Sequence, residues 1–453
     1  MSHSPSIHIL GICGTFMGGL ALIARRLGYT VSGSDYNVYP PMSDALEAAG
    51  ITLQEGYLAR HLQPHPNLVV MGNALSRGNE AVEYVLDHNI PFTSGPEFLH
   101  QHVLQNKHVI AVAGTHGKTT TTTMITWILE KAGLNPSYLI GGVPKGFDQT
   151  ARLTESPYFV IEADEYDTAF FDKRPKFLHY HPRTCVINNV EFDHGDIYED
   201  LDQIKKQFHY LVRTVPGYGA IVMNDMDANV RDIMEKGCWS RLIRFSFEKD
   251  AQWQAKAINQ DGSTFDVWHA GEKVGCIEWS HCGFHNVQNA LAALAACFDV
   301  KVPVKTAISA LNSFPGVKRR LEVLGQKKGV TVYDDFAHHP TAIEHTLNGL
   351  RARVGKDRLI AVLQFGSNTM LQGAHRDQIP GALAKADEVV LLNPHGSWSL
   401  DEVMKSMQQP AHMYDDVAQI IDYLKSHVKS GDHILVMSNK GFDNLHQRLL
   451  EAI

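Results

Sequence analysis

Long apolar runs are missing from this chain of 453 residues, and none approaches the roughly 18 residues that a membrane helix needs. The opening residues, MSHSPSIHIL, lack the basic n-region of a secretory signal. Cysteine is scarce, with six residues and no C-x-x-C pair. Cys276, Cys282 and His285 fall near one another but match no zinc spacing. A basic excess is lacking too: 41 Lys+Arg against 49 Asp+Glu leaves a net charge of −8, which argues against binding a nucleic-acid backbone. Repeats and low-complexity tracts are also absent. These absences predict a cytoplasmic protein with neither a membrane nor a nucleic-acid partner. What is present is ordinary globular material, 44% hydrophobic and 20% charged. The length suits about three domains.

The apolar pattern restarts three times. IHILGI, the helically spaced GGLALIARRLG and TVSGSD form a βαβ unit, followed by NLVVMGNAL and IPFTSGPEFLHQ. HVIAVAGTHGKTTTTTMITWILEKAG then reads as strand, glycine loop and helix. FVIEADEYD, TCVINNVEFDH and GAIVMNDMD are further strands, GSTFDVWHAGEKVGCIEWSHCG is an antiparallel hairpin region, and HNVQNALAALAACFD is an Ala-rich helix. VTVYDDF, RLIAVLQF, DEVVLLNP and HILVMSN are strands of a third set, with AIEHTLNGLRARV, IPGALAKA, AQIIDYLKSHV and NLHQRLLEAI helical by spacing. The expectation is an α/β chain of three consecutive doubly wound, Rossmann-like domains, over 1–107, 108–322 and 323–453, with a P-loop type of domain in the centre.

Gly114-Thr115-His116-Gly117-Lys118-Thr119-Thr120 carries the strongest chemical signal. Backbone N–H groups of such a loop cradle phosphates, its lysine neutralises them and its threonine offers a hydroxyl to Mg2+. Val112 stands where a full P-loop has glycine, so the loop is a shortened one. Glu162-Ala-Asp164-Glu165 and Asn188-Asn189-Val-Glu191-Phe-Asp193-His194 each follow a strand, where ligands of open α/β sheets gather. Glu162 and His194 are expected to approach the Mg2+–phosphate; otherwise these acids are solvated loops. His285-Asn286-x-x-Asn289 opens a helix. Lys318-Arg319-Arg320 is either a solvated basic stretch or a clamp on phosphate charge. Asp334-Asp335-Phe-Ala-His338-His339-Pro340-Thr341 offers carboxylates to a ribose, and its histidines could equally be turn residues. Gly11, Gly14 and Gly18 with Asp35 imitate a dinucleotide fingerprint, but Cys13 and Phe16 replace two of its glycines, so a diphosphate cradle suits the loop better than NAD.

The order of the diphosphate-type loop, GTHGKTT, EADE, FDH, HNxxNALAA, the Arg pair and DDFAHHPT resembles the Mur ligase family, over essentially the whole chain. The resemblance implies ATP-dependent amide formation on a UDP-muramoyl precursor. ILGICGTFMGGLA, NVYPPMSDALE, GNALSRGN, SGPEFL, IGGVPKGF, IEADEYDTAFFDKRPKF and VYDDFAHHPTAI are similar to one branch of it. That branch joins L-alanyl-γ-D-glutamyl-meso-diaminopimelate to the carboxylate of UDP-N-acetylmuramate in peptidoglycan recycling. The alternative is the branch that adds L-alanine, and the length of DTAFFDKRPKFLHYHPRTC favours the former. ATP and Mg2+ are the implied cofactors, UDP-N-acetylmuramate and the tripeptide the implied partners, and a monomer or weak homodimer is expected. By position, the resemblance gives Gly14, Thr15, Met17 and Asp35 to the uridine diphosphate, with Asn73, Ser76 and Arg77 nearby. It gives Gly114 to Thr120 to the ATP phosphates, and Thr119, Glu162 and His194 to the metal. His285 and Asn289 go to adenine, Arg320 to phosphate and Asp335 to ribose, with Lys118, Glu162, His194, Arg320 and His338 around the reacting groups. Asn189, Ser367, Asn368, Thr369 and Arg376 go to the substrates.

Two departures stand out. Phe208 occupies the position where several Mur ligases carry a carbamylated lysine, with Lys205 and Lys206 beside it. Gly366 stands where an arginine is expected before Ser367-Asn368-Thr369-Met370, leaving Arg376 as the replacement anchor. Two rivals from other classes are weaker. A nicotinamide oxidoreductase leaves GTHGKTT without a use, and an ATP-driven switch would hydrolyse ATP without a small acceptor.

Overall fold

A computed structural model describes residues 4–39, 42–394 and 398–453, so Pro40 and Pro41 of the NVYPP stretch lie outside the described residues. Three sheets follow one another along the chain. The first has five parallel strands in the order Thr52–Glu55, Thr30–Asp35, Ser6–Leu10, Leu68–Met71, Phe92–Ser94. Its central strand is buried apart from Ser6, and the polar His8 within it is satisfied by the hydroxyls of Ser32 at 2.8 Å and Ser34 at 2.9 Å. The helix Thr15–Arg26 lies against the next domain, and a Cβ on Gly19 would come within 2.4 Å of Leu139 Cδ1.

The second sheet has ten strands. At its middle, His108–Ala113 runs parallel between Tyr158–Ala163 on one side and Thr184–Ile187 on the other. Ala220–Asn224, Arg241–Ser246 and Trp253–Lys256 extend it in parallel, and Thr264–His269 and Glu272–Glu278 close that edge as the expected antiparallel pair. The strand Arg241–Ser246 was invisible to periodicity because its four outer residues are exposed or half-buried and two are arginines. The helix Phe284–Asp299 buries a continuous run of small residues, and this lets it lie close to the helix Lys118–Lys131 and the strands below.

The third sheet has the order Glu322–Lys327, Val330–Asp335, His433–Met437, Leu359–Gln364, Glu388–Leu392, Ala411–Tyr414 and is parallel except at its first edge. The helix read from IPGALAKA is only Ile379–Leu383, with proline at its start. The others match their apolar spacing: Pro340–Val354, Val417–His427 and Leu445–Ala452. One unanticipated element matters for the site. Asp167–Ala169 and Asp172–Pro175 pair as a small antiparallel hairpin directly after the acidic run, and its tip residue Phe171 meets Phe92 of the first domain at 5.1 Å. None of the described helices is long and apolar enough to cross a membrane.

Candidate active site

The order of strands in the second sheet builds the site. The glycine loop follows the middle strand, the acidic run follows its neighbour on one side, and the Asn188–His194 loop follows its neighbour on the other. All three leave from carboxyl ends and meet above the same edge. Val112 is buried inside its strand, so the loop proper is confined to Gly114–Gly117. Gly114 and Gly117 have φ of +139° and +78°; side chains there would lie 3.1 Å from Asn189 O and 2.5 Å from Asn289 Oδ1. Only glycine keeps this loop open, which leaves its N–H groups and the start of the helix Lys118–Lys131 for an anion. Asn189 accepts from His116 N at 2.7 Å and donates to His116 O at 3.2 Å. The Asn189 side chain therefore braces the loop. Thr115 is held likewise, its hydroxyl accepting from Glu191 N at 2.9 Å, while Thr120 is half-buried on the first helical turn.

Lys118 sits in an alternating field of charge. Its Nζ is 2.8 Å from Glu165 Oε2 and 3.8 Å from Asp164 Oδ1. Burial opposes its charge, but Glu165 and Asp164 outweigh burial and hold it above the usual lysine range. Glu162 accepts from the Thr119 hydroxyl at 3.1 Å and from Gly141 N at 2.9 Å, and burial raises its pKa. His194, at φ +56°, has Nε2 3.6 Å from Glu165 Oε1. Burial lowers its pKa, yet Glu165, Asp193 and Asp164 lift it to about 9. The expected metal trio is therefore divided. Thr119 and Glu162 form one oxygen pair of the kind Mg2+ accepts, while His194 groups with Asp164 and Glu165, their donor atoms within 4.8 Å of one another. Asp164 and Glu165 belong to the quoted acidic run, but the run alone could not say which side each carboxylate takes.

Arg320 falls inside the span 108–322 expected for the second domain, but Arg319 and Leu321 on either side of it are tied to Ser438, Lys440 and Asp335 of the third, so the segment is grouped with the third domain, and from there Arg320 reaches the loop. Left-handed backbone at Arg319 and Leu321, φ +58° and +47°, turns it away from its neighbours. Arg319 grips the carbonyls of Ser438 at 2.6 Å and Lys440 at 2.9 Å, whereas Arg320 Nη2 lies 3.3 Å from the Thr119 hydroxyl. Asp335 accepts from Leu321 N at 2.6 Å and Ala337 N at 2.7 Å, so it braces this connection in addition to any ribose role. His338 donates from Nδ1 to Phe336 O at 3.0 Å. Burial, with His116 and Arg320, pushes its pKa down to about 4 and leaves Nε2 unprotonated at neutral pH. His285 is neutral too, pushed down to about 3 mainly by burial, and its buried Nδ1 has no partner among the described residues. Asn289 Oδ1 accepts from the Thr121 hydroxyl at 3.1 Å and its Nδ2 donates to Asn286 Oδ1 at 3.4 Å, which leaves one amide N–H to offer a base.

A second set of contacts docks the third domain onto the Asn188–His194 loop. Glu191 accepts from the Thr341 hydroxyl at 2.6 Å and lies 3.3 Å from His116 Nε2. The buried Thr369 hydroxyl donates to Asp193 Oδ1 at 3.1 Å and accepts from Gly195 N at 3.1 Å. Asn368 Nδ2 meets Asp196 at 3.2 Å, and the Ser367 hydroxyl caps its own short helix. Asn368 and Thr369 thus take part in docking, and Ser367 in capping. Arg376 is exposed, with Asp377 as its ion-pair partner at 3.5 Å, and no hydrogen bond among the described residues ties it to that loop. At Gly366 a Cβ would fall 2.1 Å from Asn439 Oδ1 and 2.8 Å from Lys440 Cγ, so an arginine there would displace both. Phe208 is buried against Phe177, while Lys205 pairs with Asp232 at 2.8 Å, away from the site.

In the first domain, Gly14 and Thr15 stand exposed at the start of their helix. The Met17 side chain is buried in the core, so only its backbone N–H remains for a ligand. Asp35 accepts from Cys13 N at 2.9 Å and Asn37 N at 3.0 Å and so shapes the glycine turn. Asn73 is half-buried and Ser76 exposed, and Arg77 is committed to Glu83 at 2.9 Å.

Three family descriptions match: Mur ligase family, catalytic domain, over residues 6–107; Mur ligase middle domain, over 112–297; and Mur ligase, glutamate ligase domain, over 319–440. The UDP-N-acetylmuramate–L-alanyl-γ-D-glutamyl-meso-2,6-diaminoheptandioate ligase of Escherichia coli K12 is 55% identical over 449 residues, 99% of this chain and 98% of that one. A UDP-N-acetylmuramate–L-alanine ligase of Caldanaerobacter subterraneus is 31% identical over 98% of this chain and 97% of its own. The crystal structure of a murein peptide ligase from Psychrobacter arcticus superposes with a TM-score of 0.78 at 48% identity, covering 99% of this chain and 98% of that one.

Proposed function

The chain belongs to the Mur ligase family, and from that premise we propose that it joins L-alanyl-γ-D-glutamyl-meso-diaminopimelate to UDP-N-acetylmuramate at the expense of ATP. The observation that carries the reading is the convergence of Lys118, Thr119, the Glu162–Glu165 acids and His194 with Arg320 of the following domain, in a chain so similar to a ligase of that activity. On this reading the first domain holds the uridine diphosphate over the open helix start at Gly14 and Thr15. The second holds ATP on Gly114–Thr120, with the unpartnered Nδ1 of His285 and the amide of Asn289 facing adenine. The third supplies Arg320, Asp335 and the amine substrate. The compartment proposed is the cytoplasm.

A free carboxylate is a poor acyl donor, so the chemistry runs through an acyl phosphate. A lactyl carboxylate oxygen attacks the γ-phosphorus, the bond to the β–γ bridging oxygen breaks and ADP leaves. Lys118 and Arg320 stabilise the charge that grows on the transferring group. Mg2+, held by Thr119 and Glu162 with His194 as a second anchor, would lower the charge of the phosphates it contacts. The peptide α-amine then attacks the acyl carbon, phosphate departs and the amine sheds a proton; Nε2 of His338 is free to accept it. Docking of the third domain on the Asn188–His194 loop keeps water from the acyl phosphate.

ADP release with UDP-N-acetylmuramate, ATP and Mg2+, with tripeptide or L-alanine added, tests the reading. Tripeptide-dependent turnover with a new amide product is expected. Turnover with L-alanine alone would assign the chain to the alanine-adding branch. Near-normal ligation by Lys118→Ala would refute the mechanism.

A further inference from the structure

The proposed reaction gives no part to Lys176, a half-buried lysine beside the site. Lys176 follows the hairpin strand Asp172–Pro175, and its side chain is 11% exposed, against 12% for Lys118. Its Nζ lies 3.1 Å from Asp164 Oδ2, while the other oxygen of that carboxylate faces Lys118 at 3.8 Å. Glu165 is divided in the same way, with Oε2 at 2.8 Å from Lys118 and Oε1 at 3.6 Å from His194. Charges therefore alternate along one line, Lys176, Asp164, Lys118, Glu165, with the His194 ring at its end. The backbone locks Lys176 into this line. Its N–H donates to Tyr166 O at 3.0 Å, and the next N–H, of Phe177, donates to Asp164 O at 3.3 Å. Phe177 is anchored in the core against Phe208 at 5.3 Å.

Lys118 can meet a phosphate only by giving up its carboxylates. A carboxylate left alone in a buried site carries a large penalty, and that penalty would hold Lys118 back. The second lysine lowers it: when Lys118 turns, Asp164 keeps Lys176. We infer that Lys176 is a positioning residue for nucleotide binding, holding Asp164 so that Lys118 is released to the phosphates of the incoming nucleotide. The inference rests on the reading of Gly114–Thr120 as the ATP site and adds a residue from the hairpin to that site.

Calorimetric titration of the full chain with ATP, in EDTA and again with Mg2+, tests it without turnover. Lys176→Gln should raise the ATP Kd about tenfold, and Lys176→Arg should stay within about threefold of wild type. In an Asp164→Asn background the Lys176→Gln penalty should shrink to less than about threefold, because the charge that Lys176 holds is gone. A penalty that persists undiminished in that background overturns the inference, since Lys176 would then be acting on the phosphates directly. Equal affinity of wild type and Lys176→Gln overturns it as well. Lys176→Met, which keeps the aliphatic stem, serves if the glutamine variant does not fold. A wild type that binds no ATP overturns the ATP reading itself, and this inference with it.

Discussion

Gly349 lies inside the helix Pro340–Val354 of the third domain and touches the second. A Cβ there would come 2.9 Å from the Cα and 3.0 Å from the N of Gly283, backbone atoms that cannot swing aside. Gly349→Ala therefore has two effects of opposite sign. Within the helix, alanine is better than glycine by about 1 kcal/mol. Across the interface, the helix must retreat by a fraction of an ångström, and overpacking of this kind costs about 1–3 kcal/mol. The gain belongs to the third domain whether it is docked or not, whereas the loss falls on the docked arrangement alone. A loss of about 1–3 kcal/mol lowers the docked population by about 5- to 150-fold. Ligation kcat/KM should fall in that range, while ATP affinity stays near wild type and the core amides of the helix exchange no faster. Ligation at the wild-type rate would refute the reasoning, as would faster exchange throughout the helix, which would mean that the domain itself had been damaged.

Thr369→Val keeps the shape of the side chain but takes the hydroxyl from the Asp193 carboxylate, which keeps only His194 N among the described residues, and leaves Gly195 N–H without its partner; with about 2–3 kcal/mol lost at the docking contact, kcat/KM should fall about 30- to 150-fold with little change in melting temperature, and a large melting shift with intact kinetics would contradict this. His8 titrates in the opposite sense to His194: burial pushes its pKa down to about 4, so the folded chain favours the neutral ring. Its contribution to stability is full above pH about 6.5 and is lost as pH falls towards 4, by about 3 kcal/mol in all. The stability difference between wild type and His8→Gln in urea should accordingly shrink by about 2 kcal/mol between pH 7 and pH 4.5; a difference constant with pH would refute the assignment.

Much of the architecture is legible locally. HVIAVAG, FVIEA and TCVIN are short, mostly apolar runs, and each is a buried parallel strand. The Ala-rich helix and the hairpin at Thr264–Glu278 follow their periodicity. The strand Arg241–Ser246 and the Asp167–Pro175 hairpin lack an apolar run of strand period, the first because its first four residues are exposed or half-buried and the second because it buries Asp167 and Thr168, and neighbours rather than local pattern hold them in place. The loops of the site were legible as residue types, since a glycine loop, an acidic run and paired histidines are chemical statements in themselves. Their partners were not. Asn189 and Thr369 look like substrate contacts in the chain, and the folded molecule uses one to hold the glycine loop and the other to dock a domain.

The sequence by itself determined most of the strands and helices along the chain, the family, and which loops carry groups of the kind that bind phosphate and metal, because burial periodicity and loop chemistry are written residue by residue. Only the tertiary structure decided that Glu162 meets Thr119 while Glu165 meets Lys118 and His194, that Arg320 crosses between domains, and that Lys176 enters from a hairpin. Those pairings depend on which strands lie side by side and on the angles at which their loops leave the sheet. Both are set by long-range packing, which no local pattern records.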